Sequence, residues 1–321
     1  MKTNVLVTTA LTLLAGGAAA AQGNYSDILQ DGTNNEATIQ QNGANNSATI
    51  QQTGGFDRLT EDNKAAITQT GTSNTASQVQ NFGTVNSTVS ITQDGDANVA
   101  TQVYTYSPNQ SAEIEQYGSG NSASQESMMS LVMLSDNTAY IYQSGNGNMA
   151  TQSQGGGSGN TALTEQYGSM NSAVQQQNGF TNYAEVIQNG NNNSALQTQY
   201  VSSNEAIIYQ EGDGNEHKQI QDGRGNLNAA SATVVGNGNY GYQYQGSLRN
   251  NAELIQTGDN NYATSDQSGY TFFMEGNNQS SSIQTGNYNT ATTFQLGADQ
   301  ISTITQLGNS NVATVNQIGE D

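Results

Sequence analysis

The chain has 321 residues, 33% hydrophobic and only 10% charged, with 26 acidic residues against 6 basic ones and a net charge of −20. That balance excludes a nucleic-acid binder, because phosphate contacts need clustered basic residues, and Lys2, Arg58, Lys64, Lys218, Arg224 and Arg249 are scattered. Having no cysteine, the chain also excludes disulfides, thiolate metal sites and cysteine nucleophiles.

The first 21 residues carry Lys2, an apolar run from Val5 to Leu14, Gly16-Gly17 and Ala18 to Ala21. A basic start, a short apolar core and small residues before a cut predict a secretory signal peptide over 1–21. A membrane anchor would need about twenty apolar residues. The longest later apolar patch, Met128 to Leu134, is too short, so no membrane span is predicted.

Residues 22–321 are read as one repeat array. After a first strand over 24–30, the phrase Gln-x-Gly-x-x-Asn-x-Ala-x-x-x-Gln begins, and each closing Gln opens the next copy. It runs through Gln30, Gly32, Asn35, Gln41, Gly43, Asn46 and Gln52. It returns undisturbed at Gln166, Gly168, Asn171, Gln177, Gly179, Asn182, Gln188, Gly190, Asn193, Gln199, Gln210 and Gln221. A last run has Gln284, Gln295, Gly297, Gln306, Gly308, Asn311 and Gln317. The spacing of eleven in these runs overrides a composition that otherwise reads as disordered, since disorder keeps no register. Longer gaps near 53–62, 127–136, 227–238 and 268–277 read as loop insertions, which cost little on a surface. The strand after Asn86 reads as bulged by one residue, and Leu227 to Val235 is the poorest match.

Within a unit, Asn, Ala, a variable residue and Gln fall two apart, on one face of a strand. The Gln-x-Gly-x-x-Asn segment is the tight arc between strands, where Gly supplies unusual backbone angles. The variable residue alternates. It reads Ile67, Ile114, Ile141, Thr164, Val186, Ile208, Ala230 and Leu254 in every second unit. Between them it reads Gln78, Gln102, Gln125, Gln152, Gln175, Gln197, Gln219 and Gln243. The true period is therefore about 22, a coil of two strands and two arcs. The fold predicted is all-β: a β-solenoid of two short parallel sheets, about twelve coils of about 22 residues, stacked as cross-β.

A polar inward face needs its own explanation, because a buried amide without partners costs several kcal/mol. Identical Asn and Gln side chains in successive coils supply it by bonding to one another in ladders. Ala keeps the sheets close, and Ile, Val or Leu forms a thin apolar seam. No capping element is read at either end, so unpaired edges should attract another copy.

Sharper chemistry finds little support. The lone His217 replaces an inward Ala, with Glu216 and Lys218 pointing the other way, and acid-base catalysis would need a positioned partner. Acidic residues near the arcs (Asp57, Glu61, Asp62, Asp94, Asp96, Asp213, Asp222 and Asp259) do not recur at one repeat position as calcium-binding turns require. They read as charges that delay aggregation before export. Tyr117 and Tyr167 share an arc position and read as edge packing. Thr290-Ala-Thr292 is too little for ice binding, and its phase reads as inward. No catalytic group, metal site or cofactor is expected.

The repeat resembles that of the curlin family, the subunits of curli, amyloid fibres on bacterial surfaces. Gln188, Gly190, Asn193, Ala195 and Gln199 show the pattern whole. The resemblance implies a homopolymeric fibre for adhesion and biofilm matrix, secretion across a Gram-negative envelope through an outer-membrane channel, and nucleation by a partner subunit. This chain has more coils than familiar curlins and almost lacks their N-terminal stretch ahead of the repeats. It also lacks a basic last repeat, which fits a major subunit rather than a nucleator. The competing reading is a monomeric surface adhesin on the same fold.

Overall fold

A computed structural model describes residues 23–54, 60–128, 136–222, 226–269 and 276–319. The predicted signal peptide lies outside these residues. So does much of three expected insertions, at 55–59, 129–135 and 270–275. The chain divides into two compact units between Gly159 and Asn160.

The first unit contains β1 (Tyr25–Asp31), β2 (Glu36–Ala44), β3 (Ser47–Thr53), β4 (Lys64–Thr72), β5 (Thr75–Asn81), β6 (Thr88–Asp96), β7 (Val99–Thr105), β8 (Ser111–Ser119), β9 (Ser122–Met128), β10 (Thr138–Asn146) and β11 (Met149–Gly155). Its odd strands form one parallel sheet in chain order and its even strands another. The second unit contains β12 (Thr161–Ser169), β13 (Ser172–Asn178), β14 (Tyr183–Asn191), β15 (Ser194–Tyr200), β16 (Glu205–Glu211), β17 (Glu216–Gln221), β18 (Ala229–Val235), β19 (Tyr240–Gln245), β20 (Asn251–Thr257), β21 (Tyr262–Ser268), β22 (Gln279–Thr285), β23 (Thr290–Leu296), β24 (Ile301–Leu307) and β25 (Val312–Ile318). It repeats the two-sheet arrangement. Each unit is a β-solenoid, and the 25 strands make about twelve coils, as the alternation of Ile and Gln required.

Register follows the inward pattern. Gln30 pairs with Gln52, and Ala184 with Ala206, 22 residues on. Where an arc is longer the same faces still meet, as Ala48 and Ala76 do at an offset of 28. A one-residue slip would turn every inward amide outward, so burial pins the pairing. Inward Ile39, Ile67, Ile91, Ile114 and Ile141 form the apolar seam of the first unit. Val186, Ile208 and Leu254 contribute to that of the second.

Four expectations need correction. β6 carries no bulge: Thr88 pairs in step with Lys64 and Ser111. The extra residue lies in the arc, where Asn86 adopts a left-handed φ of 53° and Ser87 takes the inward Asn place. The variable residue of β18 is Ala232, which pairs with Ile208 and Leu254, while Ala230 sits in the Ala column. β18 fills Ala229–Val235, so the inserted residues of that coil precede it rather than spread over 227–238. Finally, Ala291 is fully buried, so Thr290 and Thr292 face outward. Tyr262 and Val312 flank Thr290 and break any flat threonine array.

Candidate functional site: the amide ladders

The inward glutamines form rungs whose direction never changes. Gln188 Nε2 donates to Gln210 Oε1 at 2.8 Å and also to the Ser172 carbonyl of the facing sheet at 3.1 Å. One side chain thus ties its coil to the next coil and to the opposite sheet, and both N–H groups are used. Gln30 donates to Gln52 (2.7 Å), Gln41 to Gln69 (2.9 Å) and Gln166 to Gln188 (2.8 Å). Gln177 donates to Gln199 (3.0 Å), Gln199 to Gln221 (2.9 Å) and Gln295 to Gln317 (2.8 Å). Gln306 accepts from Gln284 at 2.9 Å. The variable-position glutamines do the same: Gln197 Nε2 meets Gln219 Oε1 at 3.0 Å and the Glu185 carbonyl at 2.9 Å. Leaving one such buried amide unmet would cost about 1–3 kcal/mol.

The asparagines close the arcs. Asn193 donates its backbone N–H to Asn171 Oδ1 at 3.0 Å and its Nδ2 to the Gly212 carbonyl at 2.7 Å. Asn46 reaches the Gly71 carbonyl and Asn171 that of Gly190, while Asn35 and Asn182 reach the equivalent carbonyls of Thr60 and Val201. Asn311 donates to Asn289 Oδ1 at 2.9 Å and to its own arc at Leu307. Gly190, with φ of 134°, shows why the arc needs glycine twice over. Its angle disfavours a side chain, and a Cβ there would overlap the Gly212 carbonyl oxygen of the next coil. Gly32, Gly43, Gly168, Gly179, Gly297 and Gly308 share the left-handed conformation.

A further ladder, on the exposed rim of the second unit, escaped the sequence reading. Asn191 donates its backbone N–H to Asp213 Oδ1 (2.7 Å), Asp213 to Asn237 (2.9 Å) and Asn237 to Asp259 (2.8 Å). Asp259 then donates to Asn287 and Asn287 to Asn309, both at 2.8 Å. Its signal is the recurring Gly-Asn or Gly-Asp pair. Two of the acidic residues read as scattered charges, Asp213 and Asp259, are therefore acceptors in a built column, and Asp96 accepts the Thr72 N–H at 3.0 Å. No group of three or more His, Asp or Glu among the described residues could hold a metal ion.

Departures from the pattern are compensated unevenly. His217 lies buried in the Ala column between Ala195 and Gly241. A Cβ on Gly241 would overlap the imidazole, so the next coil gives up its methyl to admit the ring. Nε2 lies 3.2 Å from Gln243 Oε1, an acceptor, which makes Nε2 the protonated nitrogen; Nδ1 is buried without a partner. Burial lowers the pKa of this histidine to about 4, against a smaller opposing effect of the Gln243 bond. Tyr104 replaces a rung glutamine beside Gln80 and buries its hydroxyl unpartnered. Desolvation drives that phenol's pKa far up. Ser265 ends the variable-position glutamine column above Gln243, and Ser282 interrupts the apolar column; both hydroxyls are buried without partners. Tyr117 and Tyr167 stand on the outside, each donating its hydroxyl to the Glu two residues before it.

Each unit is thus a polar-cored β-solenoid held by one-directional amide ladders. Residues 22–54, which carry β1 to β3, match the family model of the curlin associated repeat. The resemblance drawn from the repeats agrees with that match. No curated protein matches the chain.

Proposed function

We propose that this chain is a structural subunit of an extracellular, curli-like amyloid fibre, growing by head-to-tail addition of further copies and serving cell adhesion and biofilm matrix. The observation that carries this is the polarity of the ladders. The glutamine rungs described above donate toward the C-terminal side and accept from the N-terminal side, and Asn171 and Asn193 each accept a backbone N–H from the coil that follows. At the outer edge of β1 and β2 the ladder offers Gln30 Oε1 and the second lone pair of Gln41 Oε1, whose first accepts from the Ser26 hydroxyl. At the outer edge of β24 and β25 it offers the second amide hydrogen of Gln306 and of Gln317, the first being donated to the Thr290 and Ile301 carbonyls. Two unlike edges match, two like edges do not. Contact between unlike edges does not close on itself and yields a filament.

The edges are otherwise poorly covered among the described residues. Ala313, Val315 and Gln317 face inward on β25 yet are only partly buried, whereas their counterparts in inner coils are sealed. An exposed strand edge is a template for another strand. Secretion, an outer-membrane channel and a nucleating partner follow from the curlin resemblance, as does a structural rather than enzymatic role. Incubating purified residues 22–321 and imaging by electron microscopy tests the proposal. Unbranched filaments that seed fresh monomer are the expected result. Monomers that persist for days at high concentration would overturn it in favour of the adhesin.

A further inference from the structure

The outward faces of the strands carry mostly short polar residues, but β19 has tyrosine at all three outward positions, Tyr240, Tyr242 and Tyr244. Tyr262 of β21 stacks on Tyr240 with ring centroids 4.9 Å apart and planes 9° from parallel. Tyr244 lies against Gly246, where a Cβ would crowd its ring. Lys218 of β17 places Nζ 5.9 Å from the centroid of Tyr242. Carboxylates border the row: Glu216 pairs in register with Tyr240 and Asp266 with Tyr244. Rings two residues apart on a strand stand roughly 6.6 Å from one another.

We infer that this face is a binding platform for a cationic amino-sugar polymer, with sugar rings lying on the tyrosines and ammonium groups beside Glu216 and Asp266. Three features select that chemistry. The negative face of an aromatic ring attracts ammonium, and Lys218 over Tyr242 shows the ring used that way within the chain itself. A net charge of −20 complements a polycation and repels acidic polymers and further copies of this chain. The row combines the partly buried rings of β19 with the more exposed ring of Tyr262, an aromatic edge that suits the apolar face of a pyranose. An isolated lysine chain engages one ring, whereas an amino sugar covers a ring and brings its own cation to the neighbouring carboxylate. The raised pKa of Asp266, caused by burial, fits a carboxylate lacking a cation in the free protein. The face lies on the side of the coils, so it serves monomer and fibre alike and does not depend on the fibre reading.

The test is calorimetric titration of the full-length chain with a glucosamine oligomer, an N-acetylglucosamine oligomer and a lysine oligomer of equal length. Glucosamine is expected to bind tightest, with Tyr240→Ser/Tyr242→Ser/Tyr244→Ser weakening it about tenfold or more while every carboxylate remains. Lys218→Ser should tighten binding severalfold by removing the competing ammonium, a result that mere structural support of β19 by Lys218 would not give. Should the triple variant lose its strand signal in circular dichroism, Tyr242→Ser alone, measured against Lys218→Ser, carries the comparison through their opposite effects. Equal binding by the tyrosine variants would overturn the inference, since general charge attraction would then suffice. Equal binding of the lysine or N-acetylated oligomer would overturn it too, as would weaker binding after Lys218→Ser.

Discussion

Placing a charge on His217 would set it between two sheets with Nδ1 facing no acceptor. Its folded-state pKa, about 4, lies below the ordinary 6.5, so the unfolded chain binds the proton more readily. The stability is therefore full above pH 6.5 and is lost as the pH falls toward 4, by roughly 3 kcal/mol. Urea unfolding of the wild type against His217→Ala/Gly241→Ala should show this slope only in the wild type; parallel pH curves would refute it. The same pair makes a cycle. Gly241→Ala should cost about 1–3 kcal/mol beside the imidazole and nothing once His217 is alanine, because the Ala column is then restored. Tyr104 gives the reverse sign: removing its orphaned hydroxyl by Tyr104→Phe should stabilise the first unit by about 1 kcal/mol. Unchanged or lower stability would mean that the hydroxyl is satisfied.

At the scale of the element, the unit of exchange is the coil and not the single strand. Deleting residues 183–204 removes β14 and β15 together and brings β12 against β16 and β13 against β17 with like faces in contact. Deleting only 183–193 would instead seat Gln197 on Thr164 and Ile208 on Gln175, breaking the Gln175–Gln197 rung and setting an amide into the apolar column. The longer deletion should therefore unfold at the higher temperature, with a difference of about 1–3 kcal/mol; the opposite order would contradict a 22-residue period. That period was legible because Asn, Ala and Gln repeat wherever the interior demands them, as from Gln166 to Gln221. It blurred at Ala230 because Gln221, Gly223 and Asn226 complete the arc phrase two residues before Asn228, so either asparagine could open the strand. The Asn column distinguishes them: Asn204 Oδ1 accepts the Asn228 N–H at 3.1 Å, and Asn228 Oδ1 that of Asn250 at 2.9 Å. The pairing of His217 with Gly241 lay equally out of sight, since two residues 24 apart in sequence reveal their fit only when coils stack. Left-handed angles at Ala97, Met170 and Tyr288, just before an inward Asn, were likewise invisible because the stack imposes them on unsuited residues.

At the scale of the whole molecule, a charge of −20 sets repulsion between copies against the pull of unsatisfied edges. Raising the ionic strength from about 0.01 M to 0.15 M shortens the screening length from about 30 to 8 Å. Assembly followed by light scattering should then quicken, and an unchanged lag would show that charge does not restrain association. The claim on which the proposed function rests is that coils of successive copies continue one another's ladders along the fibre axis. X-ray diffraction from aligned filaments tests it most directly. A sharp meridional reflection near 4.7–4.8 Å, the spacing of paired strands stacked along the axis, is the expected result. Filaments that place that reflection on the equator, or show none, would contradict it.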